Sequence, residues 1–169
     1  MRQVLMALFV AALAVPALAQ EEPPNAPQYR PANPGQTRAP RIAGQVALNV
    51  EVVTDRLATP WAIEFLPDGR LLVTERLGTL RVLSPTGELS RPIDGVPPVA
   101  TEGQGGLLDV ALSPDFSTDR RIYWSYAEPR GDRRNGTSVA RGRLSENFAR
   151  LTDVEVIFRQ EPAWRSDLH

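Results

Sequence analysis

Two stretches of this chain carry the same signals in the same order, and that repeat limits the fold more than any other feature. Residues 59–88 read TPWAIEFLPDGRLLVTERLGTLRVLSPTGE, and residues 106–144 read GLLDVALSPDFSTDRRIYWSYAEPRGDRRNGTSVARGRL. Each opens on a short apolar run and turns at Pro-Asp, Pro67-Asp68 in one and Pro114-Asp115 in the other. Each continues through a run of β-formers, RLLVTE or RIYWSYAE, and then turns through glycine into a third run, TLRVLS or TSVARGRL. Short β-branched and aromatic runs bounded by Gly, Pro and Asp are strand signals. Pro67 and Pro114 lie 47 residues apart, within the roughly 40–50-residue period of propeller blades.

Local turn chemistry agrees with a sheet array. Asp68-Gly69 and Asn135-Gly136 are hairpin signals, and Pro85-Thr86-Gly87 supplies a further turn. A fourth strand is expected from VEVIFRQ, residues 154–160. No segment after the first twenty residues sustains a helical period, so the expected class is all-β. A sandwich fits short strands and turns too. The repeated unit favours a β-propeller. Closure takes about four to eight blades, and about two and a half are expected here. The folded part, residues 45–169, therefore reads as the N-terminal portion of a longer propeller. Unpaired sheet edges would then make it poorly soluble on its own.

The ends read differently. Arg2 is the only charge before Glu21, and the apolar run from Val4 to Leu18 closes on Ala17-Leu18-Ala19. This is the pattern of a secretory signal peptide, residues 1–19, cut after Ala19. An uncleaved anchor is the rival, but Pro16 interrupts the run and the small-residue site fits cleavage. Residues 20–44 are rich in proline and nearly empty of aliphatic side chains, and read as a disordered or polyproline-like linker. The expected location is periplasmic or secreted.

Composition removes several functions. The chain has no cysteine, which excludes a disulfide framework and a lipid-anchored cysteine. It has one histidine, so a conventional zinc site is not expected. The formal net charge is -1, and arginine fills every Lys/Arg position. A near-neutral balance does not point to nucleic acid or an anionic membrane surface.

Few residues stand out as bearers of chemistry. Gly103-Gln104-Gly105-Gly106 precedes the strand LLDVAL, where glycine marks a sharp turn or a close backbone approach. Taken alone, a tight interblade turn capped by Gln104 explains it. Glu75 and Arg76 end a strand and read as structural charges at a solvated hairpin end. Glu64 and Asp109 interrupt apolar strands at what looks like the same place in the repeat, and read as polar groups of the repeat. Trp61, Phe116, Tyr123 and Trp124 read as blade packing. Arg130-Gly131-Asp132 falls in an arginine-rich loop, and the sequon Asn135-Gly136-Thr137 is accounted for by the hairpin turn.

TPWAIEFLPDGRLLVTERLGTLRVL, GQGGLLDVALSPDF and RRIYWSYAE together resemble the opening blades of the soluble quinoprotein sugar dehydrogenases, the glucose/sorbosone dehydrogenase family, and especially its aldose-dehydrogenase-like branch. The resemblance runs from Val50 to His169. It implies a six-bladed secreted propeller that uses pyrroloquinoline quinone (PQQ) and calcium. It also implies oxidation of an aldose at its anomeric carbon, with hydride transfer to PQQ. The family's glutamine on the cofactor face matches Gln104, which the resemblance makes catalytic and, with Gly105, cofactor-binding. Its histidine ahead of the third blade's inner strand matches His169, implied as the general base. Some members place an aspartate directly before that histidine. Here Leu168 intervenes, and Asp167 is not carried over. The main quinone clamps and calcium ligands are expected beyond residue 169, so no metal residue is named and the isolated chain is expected to be inactive. The implied partner is a sugar, with no preferred sugar or electron acceptor assigned. A metal-dependent lactonase and a non-catalytic carbohydrate- or protein-binding propeller remain as alternatives.

Overall fold

The structure, a computed structural model, describes residues 28–30, 32–33 and 47–165. The expected signal peptide, nearly all of the linker, Asp167 and His169 lie outside the described residues. The chain divides into two compact units, Met1–Asn49 and Val50–His169, and the second carries every element below.

Among the described residues, seven strands form two antiparallel meanders. The first sheet runs β1 (Pro60–Phe65), β2 (Leu71–Glu75), β3 (Thr79–Leu83), and the second runs β4 (Leu107–Leu112), β5 (Arg121–Pro129), β6 (Asn135–Leu144), β7 (Leu151–Arg159). Each strand pairs with the next in sequence, the arrangement of a propeller blade. Residues 88–90 add a short fourth rung to the first sheet through a Leu83–Leu89 bridge and a Ser90 N–H bond to Val82 O (2.8 Å). Beyond β7, residues 160–165 fold back on the second sheet through an Asn135–Trp164 bridge.

The expected repeat is present, and it is closer than the sequence suggested. Leu66 N–H bonds Arg70 O (2.8 Å) across the first turn, and Ser113 N–H bonds Arg121 O (2.9 Å) across the second. In the first, Gly69 takes the left-handed conformation that the turn requires (φ 83°). The second holds an inserted helical turn, α1 (Phe116–Asp119), ended by Arg120 in the left-handed conformation (φ 57°). Asp68 Oδ1 accepts from Arg70 N (3.1 Å), and Asp119 Oδ1 accepts from Arg121 N (2.8 Å). These are the same local turn bond, so the counterpart of Asp68 is Asp119 and not Asp115.

Both inner strands bulge at equivalent points, between Pro60 and Ala62 and between Leu107 and Val110. A hydroxyl from the neighbouring strand fills each irregularity: Ala62 N–H bonds Thr74 Oγ1 (3.0 Å), and Asp109 N–H bonds Ser125 Oγ (3.1 Å). Asp109 therefore corresponds to Ala62, and Glu64 to Ala111; the two carboxylates do not share a repeat position.

Two other expectations change. Asn135-Gly136 is not a turn but the start of β6, with Asn135 opposite Pro129 and 5% exposed. The turn is one step earlier: Arg130 N–H bonds Arg134 O (2.8 Å), with positive φ at Gly131, Asp132 and Arg133. Local hairpin preference yields there to pairing and burial. Trp61, expected to pack, is 53% exposed, whereas Trp124 and Phe116 are buried.

The core lies between the two sheets. Leu72, Leu80 and Val82 from the first meet Leu107, Val110, Ile122, Trp124, Tyr126 and Leu144 from the second. Alternate side chains of a strand face opposite ways, so one face of each sheet fills this seam. The described strands thus form two consecutive blades of a propeller.

Candidate functional site

The site is built at the end of β2, where the chain leaves the core. Glu75 is 2% exposed. Its Oε1 accepts from Ala58 N (2.6 Å) and its Oε2 from Arg81 Nε (3.1 Å). It is not the solvated charge expected from its place at a hairpin. Arg81 sits diagonally across the β2–β3 pair, where Val73 opposes Arg81 and Glu75 opposes Thr79. That register was the available clue to the ion pair.

The next side chain points the other way. Arg76 Nη1 donates to three carbonyls of the glycine-rich loop: Thr101 O (3.1 Å), Gly103 O (3.0 Å) and Gly105 O (2.9 Å). Its backbone is held as well, N–H on Thr59 O (2.9 Å) and C=O accepting Leu107 N (2.9 Å). A Cβ on Gly106 would collide with Arg76 O, so this glycine permits a close approach between the start of β4 and the end of β2. Gly103 is left-handed (φ 55°), and Gly105 N–H closes the turn on Glu102 O (2.9 Å).

Gln104 stands at the crest of this loop. It is exposed, and its side-chain amide makes no hydrogen bond among the described residues. The turn is closed by backbone groups and held by Arg76, so Gln104 does not cap it. Gly105 is buried, with its N–H and C=O both engaged within the protein. The structure therefore brings Gln104 and Gly105 into one turn. It does not place His169, which lies outside the described residues.

A hollow of about 270 Å³ opens beside the loop, bordered by Thr101, Glu102, Arg133, Arg134 and Asn135. At the same end of the second sheet, Glu128 accepts from Arg130 Nε (2.7 Å), Ser138 Oγ (2.7 Å) and Arg159 Nε (3.0 Å). Burial works to raise its carboxyl, but the hydrogen bonds from Arg159 and Ser138 and the Arg130 charge outweigh it and hold the group below the ordinary range. Burial and the nearby Glu128 charge push the Tyr126 phenol up. Sequence reading missed this cluster, because its members come from three strands and a loop.

Among the described residues no group of three or more His, Asp or Glu side chains could hold a metal ion, and no helix is long and apolar enough to cross a membrane.

Comparison with known proteins fits these blades. The sequence profile of the Glucose / Sorbosone dehydrogenase family matches residues 57–169. Aldose sugar dehydrogenase YliI of Escherichia coli is 47% identical over 128 residues, which cover 75% of this chain and 34% of that protein. The solved apo-form of the soluble aldose sugar dehydrogenase from Escherichia coli superposes with a TM-score of 0.65 at 50% identity, covering 68% of this chain and 33% of the other. The PQQ-bound form of aldose sugar dehydrogenase from Streptomyces coelicolor superposes with a TM-score of 0.59 at 29% identity, covering 66% of this chain and 33% of the other. The chain thus spans about a third of the length of the relatives it matches. It belongs to the glucose/sorbosone dehydrogenase family.

Proposed function

We propose that this chain supplies the opening blades of a periplasmic or secreted quinoprotein that oxidises an aldose at its anomeric carbon. The observation that carries the reading is Gln104: an exposed amide without a hydrogen bond among the described residues, on a loop held by Arg76, within a segment aligned with aldose sugar dehydrogenase. An amide both donates and accepts, which suits a sugar hydroxyl beside a quinone carbonyl, so the residues present fit PQQ. When bound, PQQ would supply the two-electron acceptor that no side chain of the chain offers. Gln104 would then orient the sugar hydroxyl beside the bound quinone. His169 takes the proton of the anomeric hydroxyl. An imidazole with an ordinary pKa of about 6.5 is a suitable base near neutral pH, in a role worth roughly 10²–10⁴-fold. Calcium belongs to the proposal as a Lewis acid, with no described residue assigned to it.

The test uses a protein of the relatives' full length carrying this segment, reconstituted with PQQ and calcium. Adding an aldose should change the absorbance of the bound quinone and reduce an acceptor dye. His169→Ala should remove most turnover and leave quinone binding largely intact. A reconstituted protein whose quinone spectrum ignores sugar would overturn the oxidation. Unchanged turnover of His169→Ala across pH would overturn the base.

A further inference from the structure

We propose that Arg76 is a positioning residue for the oxidation, acting through Gln104; the inference rests on the proposed role of that glutamine. Among the described residues Arg76 makes no ion pair. Its Nη1 is committed to the carbonyls of Thr101, Gly103 and Gly105. Two of these carbonyls belong to the residues on either side of Gln104, so one nitrogen brackets the glutamine. A loop with glycine at 103, 105 and 106 loses more conformational freedom on ordering than any other composition would. Without a clamp, Gln104 would sample many orientations.

The base of the clamp is rigid. Arg76 N–H is fixed to Thr59 and its carbonyl to Leu107, at the seam between the two inner strands. Buried Glu75 precedes it and ties the end of β2 to Ala58 and Arg81. The path from the inter-blade seam to Gln104 is therefore short and fully hydrogen-bonded. Charge-assisted bonds exceed neutral ones in strength, and the two N–H groups of Nη1 are shared among the three carbonyls. Lysine offers three N–H donors on a more mobile stem, and its shorter reach holds the loop less firmly. Misplacing a substrate-orienting group lowers turnover through lost alignment, without removing any group that touches the substrate.

Two measurements test this. In the 169-residue chain, Arg76→Met should speed amide hydrogen exchange at Gly105, whose N–H closes the turn on Glu102 O, by about tenfold or more while leaving β5 and β6 protected. In a PQQ-reconstituted protein of the relatives' length, Arg76→Met should lower kcat about tenfold with a smaller change in KM, and Arg76→Lys should recover part of it. The double variant Arg76→Met/Gln104→Ala should be no worse than Gln104→Ala alone, since a residue acting only through Gln104 has nothing left to position. Unchanged loop exchange overturns the clamp. Faster exchange with additive losses in the double variant overturns the route through Gln104. Faster exchange with a fully active Gln104→Ala instead overturns the role given to the glutamine, and the positioning role with it.

Discussion

Glu75 and Glu128 both close strands beside the glycine-rich loop, and their surroundings give them different consequences. Glu75 is buried with two donors, Ala58 N–H and Arg81. Removing it leaves the Ala58 N–H without its acceptor and Arg81 with Ser90 O alone. Glu75→Ala should therefore cost about 1.5–3 kcal/mol, read as a lower urea midpoint with an unchanged m-value, and Glu75→Gln should cost less by keeping a partner for Ala58. Glu128 instead carries a pH dependence. Its carboxyl titrates below the ordinary range in the folded chain, because bonds from Arg159, Ser138 and Arg130 outweigh its burial. The stability it contributes is full above the ordinary glutamate range and is lost as pH falls through the lowered folded value. Glu128→Gln should consequently melt below the parent at neutral pH, with the gap closing in strong acid. A gap that stays constant across that range would show that these pairs contribute nothing to folding.

At the scale of elements, Phe148 in the β6–β7 turn reaches the first blade at the end away from the loop, braced within its own blade by the inserted helical turn α1. Arg120, left-handed at its end, donates to Leu144 O (3.3 Å) and Ser145 O (2.9 Å). Its guanidinium lies 4.8 Å from the Phe116 ring and 4.5 Å from the Phe148 ring, and Arg70 of the first blade lies 4.0 Å from Phe148. Phe148 is thus shared by cations from both blades. Phe148→Ala should cost about 3–5 kcal/mol, whereas Arg120→Lys, which keeps charge but loses the flat stacking surface, should cost less; chemical denaturation measures both. Much of this architecture could be read before the structure was seen. The 47-residue offset and the Asp68-Gly69 turn announced the blades, since a left-handed turn position needs glycine wherever it occurs. The partner of a pattern was harder to read. Asn135-Gly136 has local hairpin chemistry, but burial and the Trp164 bridge put it into β6. Glu64 and Asp109 look equivalent as carboxylates in apolar strands, yet the 47-residue offset already sets Glu64 against Ala111, and the bulges give the same register. Gln104 was legible as a residue between glycines. The Arg76 clamp was not, because it binds backbone carbonyls 25, 27 and 29 residues away, and a carbonyl leaves no mark on sequence.

For the whole molecule, the outer face of the first blade decides the behaviour of this chain in solution. Trp61, Ile63 and Phe65 alternate along β1 and are 53%, 56% and 72% exposed. They share a face, because strand side chains repeat every two residues. The second blade leaves Phe158 54% and Ile157 45% exposed on β7, an edge strand with an unpaired side. Exposed apolar side chains along one strand and an open edge on another each promote association. Expressed by itself, the 169-residue chain should sediment as a broad distribution of assemblies, growing with concentration. Replacing Trp61, Ile63 and Phe65 together with threonine keeps strand preference and removes most of the apolar surface. That triple variant should shift the distribution toward monomer while amide protection in β2, β5 and β6 stays as it was, since none of the three side chains lines the buried seam. A parent chain that already sediments as a single monomer at high concentration would show that these exposed faces do not drive association, and the argument from β1 would fail.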